Sequence, residues 1–152
     1  MTLEAEQETP TLYKNKRILV AGGTGTVGIL MVRRLESLGA RVTVASLDSE
    51  QYARTVLGSQ TEFIRADLTE MESCLKVTQG QDYVLNLVGM KGSTGIESTK
   101  AASYFVPMLL YQTYLMDAAF RSSVQRYLFV SSVCVYPQSE FHVEDNAWNG
   151  LP

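Results

Sequence analysis

Gly22, Gly25 and Gly28 stand three residues apart, directly after the apolar run Arg17–Ala21. They open a segment in which Val27, Met31, Leu35 and Leu38 recur at helical spacing up to Gly39. That pattern reads as a strand, a tight turn and a helix ended by glycine. In this setting the first glycine lets the chain turn sharply, the second lets backbone approach a pyrophosphate, and the third lets helix and strand pack closely. The helix N-terminus adds free N–H groups and the positive end of its dipole. A dinucleotide is the expected guest, held by Gly22, Gly25, Thr26, Val27 and Gly28. The competing reading is a flavodoxin-like domain in which the glycines serve an ordinary turn.

A second group of candidates lies at the end of the next strand, Arg41–Ser46. In such domains a carboxylate there binds the adenosine ribose hydroxyls and repels a 2′-phosphate. Counted without gaps, the position is Ser46, which permits a phosphate; Asp48 lies two residues on, with Arg54 in reach of the same corner. NAD is favoured and NADP stays open. Asp67, followed by Leu68 at the end of the third strand, is placed to meet the adenine edge. The alternative for Asp67 is to cap the helical segment that begins at Thr69.

The elements that must hold these residues alternate in type. After the first strand and helix come a strand at Arg41–Ser46, a short helix at about Glu50–Leu57, a strand at Glu62–Ala66 and a helix at Thr69–Thr78. Asp82–Val88 is a fourth strand, apolar after Asp82 except for Asn86, and a Gly-rich stretch, Gly89–Gly95, follows it. About Ser98–Phe120 is a long helix with Pro107 inside it, and Arg126–Ser131 is a fifth strand. Strands joined by crossover helices imply an α/β fold: a doubly wound parallel sheet in the order 3-2-1-4-5, helices on both faces, ligands at the carboxyl ends of its strands. The long helix carries two apolar stripes. Tyr104, Met108, Tyr111 and Leu115 form one; Phe105, Leu109, Met116 and Phe120 form the other. One stripe belongs on the sheet and the other against neighbouring protein, a second subunit being one candidate.

The 152 residues, 45% hydrophobic and 19% charged, suffice for one sizeable core. Met1–Pro10 is polar and Glu-rich, so residues 1–15 are read as a flexible leader and 16–152 as the folded domain. Thirteen Lys+Arg against sixteen Asp+Glu give a net charge of -3, which disfavours nucleic acid and anionic membranes as partners. Apolar runs such as Val84–Val88 fall far short of the roughly 20 residues of a membrane helix. The first residues carry Glu4, Glu6 and Glu8 in place of a basic and apolar signal, so a cytoplasmic location is expected. Cys74 and Cys134 are spaced for no metal, and any chemistry they do is expected as thiols.

These residues resemble the extended short-chain dehydrogenase/reductase family, the NAD-dependent epimerases and dehydratases of nucleotide sugars. Ala21-Gly-Gly-Thr-Gly-Thr-Val-Gly28 is similar to its glycine turn, Asp67-Leu68 to its adenine contact, and Val130-Ser-Ser-Val-Cys-Val-Tyr-Pro137 to its fifth-strand signature. Within the family the likeness is to the GDP-mannose 3,5-epimerase branch, with the GDP-L-fucose synthases next, and it covers about residues 16–152. The resemblance implies a Rossmann domain and a redox-assisted epimerisation of a GDP- or other NDP-sugar. A sugar hydroxyl is oxidised to a ketone, neighbouring C–H bonds become acidic, a base and an acid on opposite faces invert the carbon, and hydride returns. By the same resemblance Ser132 is the hydroxyl that bonds the reacting sugar oxygen, Cys134 is one acid/base, and Lys91 contacts the cofactor side of the site. Two residues along a strand return a side chain to the same face, so Ser132 and Cys134 are expected to line one site. Without the resemblance, Ser132 is a polar cap at a strand end and Cys134 a small core residue.

The sequence also departs from the family. Its acid/base couple is a tyrosine with a lysine four residues later, and none of the eight tyrosines here has that partner. Phe105 stands where the family often has an asparagine near the start of the fourth helix, and His142 matches nothing in the motif. Residues 16–152 are therefore read as the cofactor-binding part of a nucleotide-sugar epimerase or dehydratase, incomplete at its C-terminal side and inactive alone. The alternative is a non-catalytic dinucleotide-binding sensor or interaction module.

Overall fold

Continuous runs of β-branched and aliphatic residues suit strands buried on both faces, and the first such run shows it fully. In a computed structural model that describes residues 12–89, 100–139 and 141–149, Arg17–Ala21 forms β1, whose Ile18, Leu19, Val20 and Ala21 are wholly buried. The other elements follow in alternation: α1 (Thr26–Ser37), β2 (Arg41–Ser46), α2 (Glu50–Val56), β3 (Glu62–Arg65), α3 (Met71–Thr78), β4 (Tyr83–Asn86), α4 (Ala101–Arg121) and β5 (Arg126–Phe129). The five strands make one parallel sheet in the order β3-β2-β1-β4-β5, as the alternation predicts.

Alternation along β1 divides the core in two. Ile18 and Val20 face Val32 and Leu35 of α1 and Ala53 of α2. Leu19 and Ala21 face Cys74 and Val77 of α3 and Tyr111, Leu115 and Ala118 of α4. Right-handed crossovers account for this split, because the chain moves outward in one direction from β1 to β3 and in the other from β4 to β5. Each buried aliphatic side chain contributes about 1.5–3 kcal/mol. The register sets Ala21 between Ala45 and Asn86, so β1 and β4 finish at one level and β2 one residue beyond it.

The fourth strand covers Tyr83–Asn86 and is shorter than the expected Asp82–Val88, and three further expectations need correction. Leu12–Asn15, assigned to the leader, are folded: Leu12 and Tyr13 pack against the α1 side of the core, the Tyr13 ring meets Tyr83 edge-on at 6.4 Å, and Asn15 N–H donates to Gly39 O at 2.8 Å. Leucine and tyrosine give this segment apolar surface to bury, which the Glu-rich stretch before it lacks. The fifth strand ends at Phe129, two residues early, and a 3₁₀ turn occupies Val133–Val135. The third helix starts at Met71, since Thr69 is held in a turn by Asp67.

Candidate functional site

The glycine turn sits where the strand order reverses, between β2 and β4. Gly22 N–H donates to Ala45 O at 2.8 Å and Leu87 N–H to Ala21 O at 3.0 Å, so both neighbouring strands hold it. Gly22 has φ +78°, and a Cβ there would lie 2.9 Å from Leu87 O. A Cβ on Gly28 would collide with Gly22 O and lie 2.7 Å from Gly23 Cα, which is the close packing of α1 on the turn. Gly25 differs, because its Cβ would meet only Gly22 O, at 3.3 Å, and would otherwise project into open space. Gly25 caps α1 with no side-chain hydrogen bond, and the first helical bond reaches Ile29. The N–H groups of Thr26, Val27 and Gly28 precede that bond and have no partner within the helix, and the first turn carries no acid. Thr26 and Val27 are exposed.

In front of the turn lies an open cleft of ≈ 520 Å³ lined by Gly22, Gly25, Ser46, Asp48, Asp67 and Leu68, all proposed from sequence as contacts. Thr24, Tyr52 and Tyr111 also line it and were missed. Only the position of Thr24 within the glycine turn carried a signal. A larger hollow of ≈ 670 Å³ lies at the opposite ends of the strands, among Arg17, Arg41 and Glu62, where α1 presents its C-terminal and not its N-terminal end. The glycine side is therefore the side suited to a phosphate.

Three oxygens meet at the end of β2. Thr24 Oγ1 lies 2.6 Å from Asp48 Oδ2, Ser46 Oγ lies 3.0 Å from the same Oδ2, and Asp48 N–H donates to Ser46 Oγ at 3.1 Å. Arg54, expected at this corner, is held elsewhere by Glu50 at 3.4 Å and by Thr61 O at 3.2 Å. Arg65 takes its place, donating Nε to Leu47 O at 3.3 Å. Asp67 Oδ1 accepts from Thr69 N–H at 2.9 Å and from the Thr69 hydroxyl at 2.7 Å. Asp67 thus does not cap α3, whose N-cap is Glu70; it fixes the turn ahead of that helix and lines the cleft.

Asn86, 2% exposed, knits the end of β4 to its neighbours. It donates to Gln112 Oε1 at 2.5 Å and Tyr127 Oη at 3.0 Å, and its Oδ1 accepts Val88 N–H at 3.1 Å. Burial pushes the Tyr127 hydroxyl above the usual phenol range. Ser132 and Cys134 do not share a strand face. Beyond Phe129 the chain turns, and Ser132 Oγ accepts Cys134 N–H at 3.2 Å, so the two are neighbours in a hydroxyl-stabilised turn with both side chains exposed. His142 packs its ring against Tyr136 at 5.4 Å. Both cysteines are free thiols; Cys74 is buried, and burial with the charge of Asp67 pushes it up to about 11. Lys91 lies outside the described residues. No described helix is long and apolar enough to cross a membrane.

A doubly wound sheet with a glycine turn at its switch point defines the class, a dinucleotide-fold protein. The chain belongs to the NAD dependent epimerase/dehydratase family, whose model matches residues 18–149. It is 31% identical over 156 residues to GDP-mannose 3,5-epimerase 1 of Oryza sativa subsp. japonica, covering 99% of this chain and 40% of that protein. It is 28% identical to GDP-L-fucose synthase of Sinorhizobium fredii, covering 84% of this chain and 36% of that one. The fold matches UDP-glucose-4-epimerase of Stenotrophomonas maltophila, solved with bound NAD and formylated UDP-arabinopyranose, with TM-score 0.72 at 23% identity over 84% of this chain and 40% of that one. The chain spans about two fifths of the length of the relatives it matches.

Proposed function

We propose that this chain is the cofactor-binding part of an NAD(P)-dependent nucleotide-sugar epimerase or dehydratase, with a GDP-sugar as the favoured substrate class. The observation that carries the reading is the fit of the cleft: at its floor the Gly25 Cβ position is left open beside free helical N–H groups, as a pyrophosphate needs. Gly22, Gly25, Thr26, Val27 and Gly28 would hold the pyrophosphate; Asp48 and Ser46 would meet the ribose; Asp67 and Leu68 would meet the adenine. NAD is favoured over NADP because Asp48, just past the end of β2, contributes a carboxylate to the lining of the cleft. A bound nicotinamide would supply reversible hydride acceptance. Ser132 would then hold a sugar oxygen, and Cys134, an exposed thiol two residues on, would move a proton at the inverted carbon.

The proton relay needs more than these residues provide. No tyrosine here is followed by lysine four positions later, so the 152 residues alone are expected to bind a cofactor and not to turn substrate over. The likeness to GDP-mannose 3,5-epimerase and GDP-L-fucose synthase supports the substrate class. Calorimetric titration with NAD and then NADP, with Gly25→Val as control, tests the reading. Binding that disappears in the control supports it, and binding of neither cofactor refutes it. Turnover of GDP-mannose by these residues alone would refute the division of labour. The outward stripe of α4 completes the proposal as the surface of a homodimer.

A further inference from the structure

Gap-free counting puts Ser46 where a ribose-binding carboxylate is expected, yet a carboxylate stands two residues later at Asp48. The structure shows what holds it there. Thr24 lies in the middle of the glycine turn and is 3% exposed. Its hydroxyl sits 2.6 Å from Asp48 Oδ2 and 2.9 Å from Ser46 Oγ. A hydroxyl has one proton to donate, and the shorter contact to the charged oxygen takes it. Ser46 donates its own proton to the same Oδ2 at 3.0 Å, while its oxygen accepts Asp48 N–H at 3.1 Å. Both hydroxyls are thus committed to one carboxylate oxygen, Oδ2, which leaves Oδ1 of this cleft-lining residue outside the cluster.

We propose that Thr24 is a positioning residue for cofactor choice. By fixing the Asp48 carboxylate at the ribose end of the cleft, it makes the site select a dinucleotide with free ribose hydroxyls over one carrying a 2′-phosphate. The proposal rests on the dinucleotide reading above and deepens it. A fixed carboxylate accepts hydrogen bonds from two ribose hydroxyls and repels a phosphate dianion. The donors that a phosphate would use in its stead, the hydroxyls of Thr24 and Ser46, are already occupied. Swinging Asp48 aside breaks two charge-assisted bonds and leaves the buried Thr24 hydroxyl with the neutral Ser46 Oγ in place of a carboxylate as its acceptor. Arg65 pulls the other way: held by Leu47 O, its guanidinium stays beside this loop and has further donors for a phosphate. Preference therefore turns on whether the carboxylate is held or released, and Thr24 is the buried group that holds it.

The test is calorimetric titration of the 152-residue chain with NAD and with NADP, in the wild type and in Thr24→Val, Thr24→Ser and Asp48→Asn. A melting transition checks that each variant is folded. The wild type is expected to prefer NAD by about tenfold or more. Thr24→Val keeps the shape and loses the proton, and should lose at least about tenfold of that ratio; Thr24→Ser should retain it. Asp48→Asn, an exposed position, should lose the preference without a packing change. Lowered stability weakens both cofactors alike, so it leaves the ratio untouched and cannot imitate the effect. A ratio unchanged in Thr24→Val or in Asp48→Asn, with NAD still bound, overturns the proposal and leaves the dinucleotide reading standing. Wild-type preference for NADP does the same. Failure of the wild type to bind either cofactor overturns both.

Discussion

The three glycines of the turn do different work, and their substitutions should separate. A side chain on Gly28 runs into Gly22 O and the Gly23 backbone, neither of which has room to move. Gly28→Val is therefore expected to destabilise the fold by about 3 kcal/mol or more, or to prevent folding, read as the melting transition. A side chain on Gly25 meets one oxygen at 3.3 Å, with φ -77° and ψ 170° that any residue adopts. Gly25→Val should keep most of the melting temperature while removing dinucleotide affinity. The cysteines part in the same way. Cys134 is exposed, whereas Cys74 is buried, donates Sγ–H to Leu68 O at 3.2 Å and is pushed up to about 11. Thiolate is the reactive form, so near neutral pH one thiol per chain should label quickly, and Cys134→Ser should remove that fast phase. Two fast thiols of equal rate would contradict the burial of Cys74.

At the scale of elements, α4 and the start of β1 show how sequence pattern becomes stability. Leu115 of α4 is wholly buried against the sheet beside Tyr111 and Ala118, so Leu115→Ala should cost about 2–5 kcal/mol in denaturant unfolding. Asp82 ties β4 to β1 by accepting Arg17 N–H at 2.8 Å, with the Arg17 guanidinium at 3.7 Å. That backbone bond, against a smaller opposing effect of burial and helped by the charges of Arg17 and Lys16, lowers its carboxyl from the usual value. The stabilisation is present above the ordinary carboxylate range and is lost as pH falls below it. Asp82→Asn should therefore lower the melting temperature at neutral pH and flatten its fall on acidification. Element order and sheet topology were legible because hydrophobic runs, glycine punctuation and crossover handedness are local or general. The course of the chain after Phe129 was not: Val133 and Val135 stand two residues apart as on one face of a strand, yet pairing past Phe129 depends on a partner strand that sequence cannot display. The Thr24–Ser46–Asp48 cluster escaped for a similar reason, since it joins residues 22 and 24 positions apart through side chains that no periodicity marks.

At the scale of the whole chain, two exposed apolar surfaces offer themselves for association between copies. The outward stripe of α4 exposes Phe105 by 57%, Leu109 by 49%, Met116 by 50% and Phe120 by 82%, while the opposite stripe packs on the sheet and α3. An apolar row along a 21-residue helix is self-complementary under a two-fold axis, which brings the same row of a second copy antiparallel to it. The sheet offers a rival surface, because β5 is an edge strand whose Leu128 and Phe129 are each 47% exposed. Edge pairing uses backbone N–H and C=O groups, whereas helix pairing uses side chains, so two substitutions tell them apart. Leu109→Glu with Phe120→Glu places charges in the helical row and leaves the sheet alone; Leu128→Pro removes a backbone donor at the edge and leaves α4 alone. Light scattering behind size-exclusion chromatography is expected to show a dimer for the wild type. The helix variant should run as a monomer and the edge variant as a dimer. A dimer that survives the helix charges and dissociates in the edge variant would assign the association to β5, and the apolar row of α4 would then have to be covered by something other than a second copy.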